Sequence, residues 1–139
     1  DVKINQILNK RLNRNEHMPF APIIISDLAK KCLKGWNDSQ VASKSMTICY
    51  ECTSYLKMKS PAVIHVDNTV RPQVLFREDN KVLFDVLKQY YIQTGNPSII
   101  NTSFNYHEEP IVEKPQDALK SLENNNIDIL ILEDLLIKI

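Results

Sequence analysis

Between Asp79 and Thr94, the apolar residues Val82, Leu83, Val86, Leu87, Tyr90 and Tyr91 recur at helical spacing, and the pattern stops at Gly95, one of 2 glycines in the chain. A short apolar run, Ser98 to Ile100, follows almost at once. A helix that hands the chain directly to a short strand is a building unit of sheets flanked by helices. The same alternation recurs on both sides of it.

Upstream, Ile4, Ile7, Leu8 and Leu12, interspersed with Lys3, Lys10, Arg11 and Arg14, predict an amphipathic helix over Val2 to Leu12. No capping sequence precedes it, as expected of a segment cut from a longer protein. Pro19 and Pro22 keep HMPFAP extended and lead into a strand at Ile23 to Ile25. Asp27 to Leu33 then predicts a short helix capped by Ser26, and residues 35–45 a polar surface loop or mobile crossing. Met46 to Tyr55 carries the β-branched and aromatic residues of a strand. Pro61 introduces a second apolar run, Ala62 to Asp67, of the kind found in buried central strands, and Asn68 with Thr69 turns the chain, leaving Arg71 and Gln73 just past the strand's end. Nearer the C-terminus, Pro115 opens a helix that runs to Glu123, and three asparagines, Asn124 to Asn126, break it. Ile127 to Leu132 predicts a buried strand, Glu133-Asp134 a turn, and Leu135 to Ile139 a last strand. The fold class is therefore α/β (α+β): an open twisted mixed sheet with flanking helices, in a single domain spanning residues 1–139. Ligands of such sheets sit in the crevice beyond strand ends. Two polar loops, 67–73 and 101–107, each follow a short apolar strand and are the candidates for one shared site.

The length of 139 residues is enough to bury a real core in one domain. Lys+Arg and Asp+Glu both number 17, so the formal net charge is +0 and nothing steers the chain toward nucleic acid or an anionic membrane. Anion binding has to come from a few local cations and backbone N–H groups. Cys32, Cys49 and Cys52 make an odd count, suited to reduced thiols in the cytoplasm more than to a disulfide framework. No apolar run approaches the roughly 20 residues of a membrane span.

The NTSFN segment, Asn101 to Asn105, sets hydroxyls, amides and N–H groups in a tight stretch behind a strand, suited to cradling phosphate or carbonyl oxygens. The same residues also make ordinary Asx and Ser/Thr turns. His65 and Asp67, two apart, share one face if the run is a strand, with Arg71 beyond to grip a phosphate or carboxylate in a bidentate way. Asp67 capping a turn is the plainer alternative. No third ligand accompanies a His65–Asp67 metal pair, and the C-x-x-C of Cys49 and Cys52 points its thiols to opposite faces of a strand, so no metal site is predicted. Lys10, Arg11 and Arg14 form a solvated basic face, or carry charge toward a phosphate chain.

Taken in order, LNKRLNRNEHMPFAP, PAVIHVDNTVRPQ, TGNPSIINTSFNYHEEPIV, KPQDAL and IDILILEDLLIKI resemble the C-terminal region of the O-carbamoyltransferases of nodulation-factor and antibiotic biosynthesis, over nearly the whole chain. The resemblance implies a YrdC-like domain that makes carbamoyl-adenylate from ATP, with Mg, and carbamoyl phosphate. A separate N-terminal domain of the same polypeptide, the only one to carry iron or another metal, then passes the carbamoyl group to a hydroxyl. It further implies that Arg71 and Ser103 contact phosphate, that Asn101, Thr102 and Asn105 line the same pocket, and that Lys10 and Arg14 approach from the first helix. His65 and Asp67 organise the loop presenting Arg71. A Gly-Pro-Arg-Ala-Leu-Gly stretch is expected ahead of the first helix, so the fragment alone is expected to be inactive, and related enzymes make a homodimer plausible. Where the family usually has Gly, this chain has Asn68, a residue that tolerates the left-handed conformation. A non-catalytic nucleotide-binding or assembly module is the alternative.

Overall fold

Ile23, Ile24 and Ile25 run through the middle of the main sheet of a computed structural model that describes residues 3–15 and 19–138. The chain divides into two compact units, one of residues 19–102 and the other of residues 3–15 with 103–138.

In the first unit, strand β1 (Ala21–Ile25) is buried along its whole length. Strand β4 (Gln73–Leu75) pairs with it in parallel, placing Gln73 opposite Ile23, and β5 (Ser98–Asn101) pairs antiparallel, placing Asn101 opposite Ala21. The result is a mixed three-stranded sheet in the order β4-β1-β5. A continuously apolar strand suits the centre of a sheet covered on both faces. Helix α2 (Ser26–Cys32) follows β1 without a loop and buries Leu28, Ala29 and Cys32. Helix α4 (Lys81–Thr94) forms where the periodicity predicts. Asn80 caps it by accepting from Leu83 N at 3.0 Å, and Gly95 ends it at φ +69, a left-handed conformation that glycine adopts without strain. Phe84 and Leu87 carry its buried stripe into a core with Ile24, Leu33, Leu56, Val70 and Val74.

Several expectations need correction. Met46 to Tyr55 is not one strand: β2 (Tyr50–Glu51) pairs with β3 (Thr69–Val70), Cys52 makes a single bridge to Leu33, and Thr53 caps a helix, α3 (Ser54–Lys59), by accepting from Leu56 N. Ala62 to Asp67 is not a strand either. Pro61 starts a 3-10 turn, Pro61–Val63, and a tight turn follows, because Asp67 offers the backbone a closer partner than a neighbouring strand does. Residues 35–45 lie largely at the surface, as a loop would, but with two buried anchors and a short helix. Trp36, only 4% exposed, donates Nε1–H to Ser43 Oγ at 3.0 Å, and a 3-10 helix, Val41–Ser45, closes the segment. Ser26 begins α2 but makes no side-chain cap.

The second unit holds α1 (Lys3–Arg11), α5 (Pro115–Glu123) and a hairpin of β6 (Leu130–Leu132) with β7 (Leu135–Ile137). Ala118, Leu122 and Leu130 make its small core, with Val112, Ile127, Leu132 and Ile137 packed around them. The 127–132 run is therefore buried on one face only: Leu130 is enclosed, whereas Ile129 and Ile131 are exposed. Val2, His17, Met18 and Ile139, which belonged to the predicted helix, extended segment and last strand, lie outside the described residues.

Candidate phosphate-binding site

The first polar loop is built around one hydroxyl. Thr69 Oγ1 donates to Asp67 Oδ1 at 2.7 Å, and Thr69 N donates to the same oxygen at 2.9 Å. The His65 ring closes on that hydroxyl, Nδ1 to Thr69 Oγ1 at 3.0 Å. A hydroxyl has one proton, and here Asp67 takes it, so Nδ1–H is the donor to Thr69 and a neutral His65 keeps its lone pair at Nε2. The two bonds from Thr69 hold the Asp67 carboxyl below the usual carboxylate range. Backbone bonds from His65 N to Thr69 O and from Asn68 N to His65 O, both 2.9 Å, complete the turn. Asn68 sits at φ +66, the conformation that the usual glycine would supply. His65 and Asp67 thus meet through Thr69 in a turn, and not side by side on a strand.

Two residues beyond Thr69 stands Arg71. It is exposed, and it has no hydrogen bond or ion pair among the described residues. Its backbone is held on both sides by side chains below 2% exposure, Val70 and Pro72. A guanidinium that long would ordinarily find a carboxylate; this one is presented on a fixed base with its fork of donors open.

Arg71 enters β4, and Gln73 is that strand's first residue. The other predicted loop reaches the same end of the sheet, because β5 runs antiparallel to β1 and finishes where β1 and β4 begin. Across the central strand, Asn101 Nδ2 donates to Gln73 Oε1 at 2.5 Å, with Met46 Sδ 3.9 Å from the same nitrogen. Arg71, Asn101 and the exposed Thr102 therefore belong to one sheet end of the first unit. Gln73 and Thr69 were not among the predicted site residues. Thr69 was detectable in the Asp-Asn-Thr spacing of an Asx turn, whereas the Gln73 contact depends on sheet order.

The remaining predicted residues belong to the second unit. Ser103 Oγ donates to Asn105 Oδ1 at 2.5 Å, and Asn105 Nδ2 donates to the carbonyls of Tyr106, at 3.1 Å, and Glu109, at 2.9 Å. This is the Ser/Asn turn that the sequence left open. Lys10 is exposed on α1. Arg14 is half-buried, and the loss of solvent pulls its pKa below the usual arginine range. The thiols divide sharply: burial pushes Cys32 up to about 12 and Cys52 up to about 11, whereas Cys49 is exposed. Among the described residues, no helix is long and apolar enough to cross a membrane.

The sequence pattern of the family described as "Carbamoyltransferase C-terminus" matches residues 1–138. The chain belongs to that carbamoyltransferase C-terminal family. It is 37% identical over 130 residues to protein MJ1051 of Methanocaldococcus jannaschii, covering 94% of this chain and 25% of that protein. It is 32% identical over 136 residues to nodulation protein NolNO of Sinorhizobium fredii, covering 98% of this chain and 19% of that protein. With nodulation protein NolO of Bradyrhizobium diazoefficiens it shares 28% identity over 136 residues, 98% of this chain and 24% of that protein. The chain thus spans a quarter or less of the length of these relatives.

Proposed function

We propose that this chain is the part of a carbamoyltransferase that takes part in forming carbamoyl-adenylate from ATP, as its magnesium complex, and carbamoyl phosphate. In that chemistry carbamoyl phosphate loses its phosphate to water, the resulting carbamate oxygen bonds to the α-phosphorus of ATP, and pyrophosphate leaves. The rest of the polypeptide then passes the carbamoyl group to a hydroxyl acceptor. Family membership along residues 1–138 supports the reaction class. The observation that carries the site is Arg71, an exposed guanidinium between two buried anchors at the end of the sheet where Asn101 also emerges. Adenylate formation depends on fixed positive charge that is already in place when phosphate oxygens arrive, since a preorganised donor needs no rearrangement during the reaction. The Asp67–Thr69–His65 turn supports this reading by fixing the backbone just ahead of Arg71.

The test is pyrophosphate release by the full-length protein supplied with ATP, carbamoyl phosphate, or both. Release with both substrates and not with either alone supports the reading. Binding of ATP with no pyrophosphate under any condition supports a non-catalytic nucleotide-binding or assembly module instead.

A further inference from the structure

The bond between Asn101 and Gln73 uses only half of each amide. Asn101 Nδ2 donates to Gln73 Oε1, which leaves Asn101 Oδ1 and Gln73 Nε2 with no partner among the described residues. Neither atom is among the sealed, unsatisfied polar atoms of the described residues, so both are open to solvent. Exchanging the roles of the two amides leaves the same kinds of group unused: N–H donors and one C=O acceptor. The pairing ties the two side chains to each other, and each is half-buried. Gln73 is two residues from Arg71, and the buried Pro72 between them gives the alternation that sets residues 71 and 73 toward one side of an extended chain.

We infer that the Gln73–Asn101 amide couple recognises the carbamoyl group itself, an inference that rests on the function proposed above. A carbamoyl group carries a C=O and an NH2 on one carbon. Gln73 Nε2–H would donate to the C=O, and Asn101 Oδ1 would accept from the NH2, giving two antiparallel hydrogen bonds in one plane. The edge of an adenine offers a similar pair of atoms, but the carbamoyl carbon lies one oxygen away from its phosphorus, whereas adenine lies a full ribose away from its nearest phosphate. A donor–acceptor couple two residues from a phosphate-seeking arginine fits the shorter molecule. Gln73 is thereby a further binding residue, and the Asn101 acceptor is what separates carbamoyl phosphate from an acyl phosphate of the same size that lacks the NH2.

Binding of carbamoyl phosphate, acetyl phosphate and ATP is measured by calorimetry on the full-length protein and on its Gln73→Leu and Asn101→Leu variants, with thermal unfolding to confirm that each is folded. The loss of one hydrogen bond to the ligand is expected to weaken carbamoyl phosphate binding by about tenfold in either variant, and by more than it weakens ATP binding. Asn101→Leu is also expected to bring carbamoyl and acetyl phosphate to equal affinity, because the acetyl methyl never used the acceptor. An Asn101→Leu protein that keeps the wild-type preference overturns the inference while leaving the proposed function standing, as does a pair of variants that lose ATP instead. A wild-type protein that binds neither acyl phosphate overturns the proposed function, and this inference with it. If Leu disturbs the sheet, Gln73→Glu keeps an acceptor for Asn101 and replaces the free N–H2 by oxygen. Both acyl phosphates carry the C=O that this N–H would meet, so both should weaken alike, and a Gln73→Glu protein that binds carbamoyl phosphate as tightly as wild type would also overturn the inference.

Discussion

Arg11 holds Asp128, 117 residues away, in a two-pronged grip: Nη1 donates to Oδ2 and Nη2 to Oδ1, each at 2.7 Å, while Nε donates to the carbonyl of Asn125 at 2.6 Å. The grip fastens α1 to the segment that follows α5. The planar fork of arginine matches a carboxylate in a way that lysine cannot. Its hydrogen bonds hold the Asp128 carboxyl below the usual carboxylate range. A carboxyl with a depressed folded-state pKa stabilises the fold above the unfolded value, near 3.9, and that contribution disappears as pH falls through the folded value. Arg11→Lys is expected to lower the unfolding midpoint modestly at pH 7, by less than Arg11→Ala. The difference between Arg11→Ala and wild type should shrink as pH falls below about 4. Thermal melts across that range measure it.

Asn68 takes φ +66, so its replacement tests conformation separately from chemistry. Asn68→Gly is expected to leave stability nearly unchanged. Asn68→Val should cost about 1–2 kcal/mol, because a β-branched side chain meets the following carbonyl in the left-handed region. Chemical denaturation of both variants reads the contrast, and a tolerated valine would mean that the turn is looser than its hydrogen bonds indicate.

Elements whose signals lie within one short window were legible in the sequence. Asn80 and Gly95 bound α4, and Pro115 opens α5. The apolar run after Pro61 was misread because an apolar stretch between a proline and a turn has no period to separate strand from compact turn, and Thr69 decided for the turn by gathering Asp67 and His65. Ile127 to Leu132 was misread as enclosed on both faces; a two-stranded hairpin with α5 beneath it covers only one face, so Ile131 stays exposed opposite Leu136. The helix bearing Lys10 and Arg11 was visible, but not that it stops short of Arg14 or that Arg11 would find its partner near the other end of the sequence. Of the two loops read as one site, Asn101 and the start of β4 share a sheet end because β5 runs antiparallel to β1. The Gln73 contact was not legible, since it depends on strand order and on β1 lying between the two.

The cysteines give a prediction that needs no substrate. Cys32 and Cys52 are buried with pKa values pushed up to about 12 and about 11, so at pH 8 neither supplies thiolate in the folded protein. Brief treatment with iodoacetamide should modify Cys49 alone, and unfolding in denaturant should expose all 3 thiols. Peptide mass spectrometry identifies the sites. Rapid native labelling of Cys52 would show that the segment around Leu33 and Cys52 opens readily.

The central claim is that Arg71 stands ready for phosphate. Pyrophosphate release from ATP and carbamoyl phosphate, followed in the full-length protein carrying Arg71→Ala or Arg71→Lys, tests it most directly. Loss of a preorganised cation from the reacting phosphates is expected to slow release by about a hundredfold or more in Arg71→Ala. Lysine keeps the charge without the fork and should fall between alanine and wild type, and Arg71 is exposed, so all three proteins should melt alike. Release at the wild-type rate by a folded Arg71→Ala protein would contradict the account.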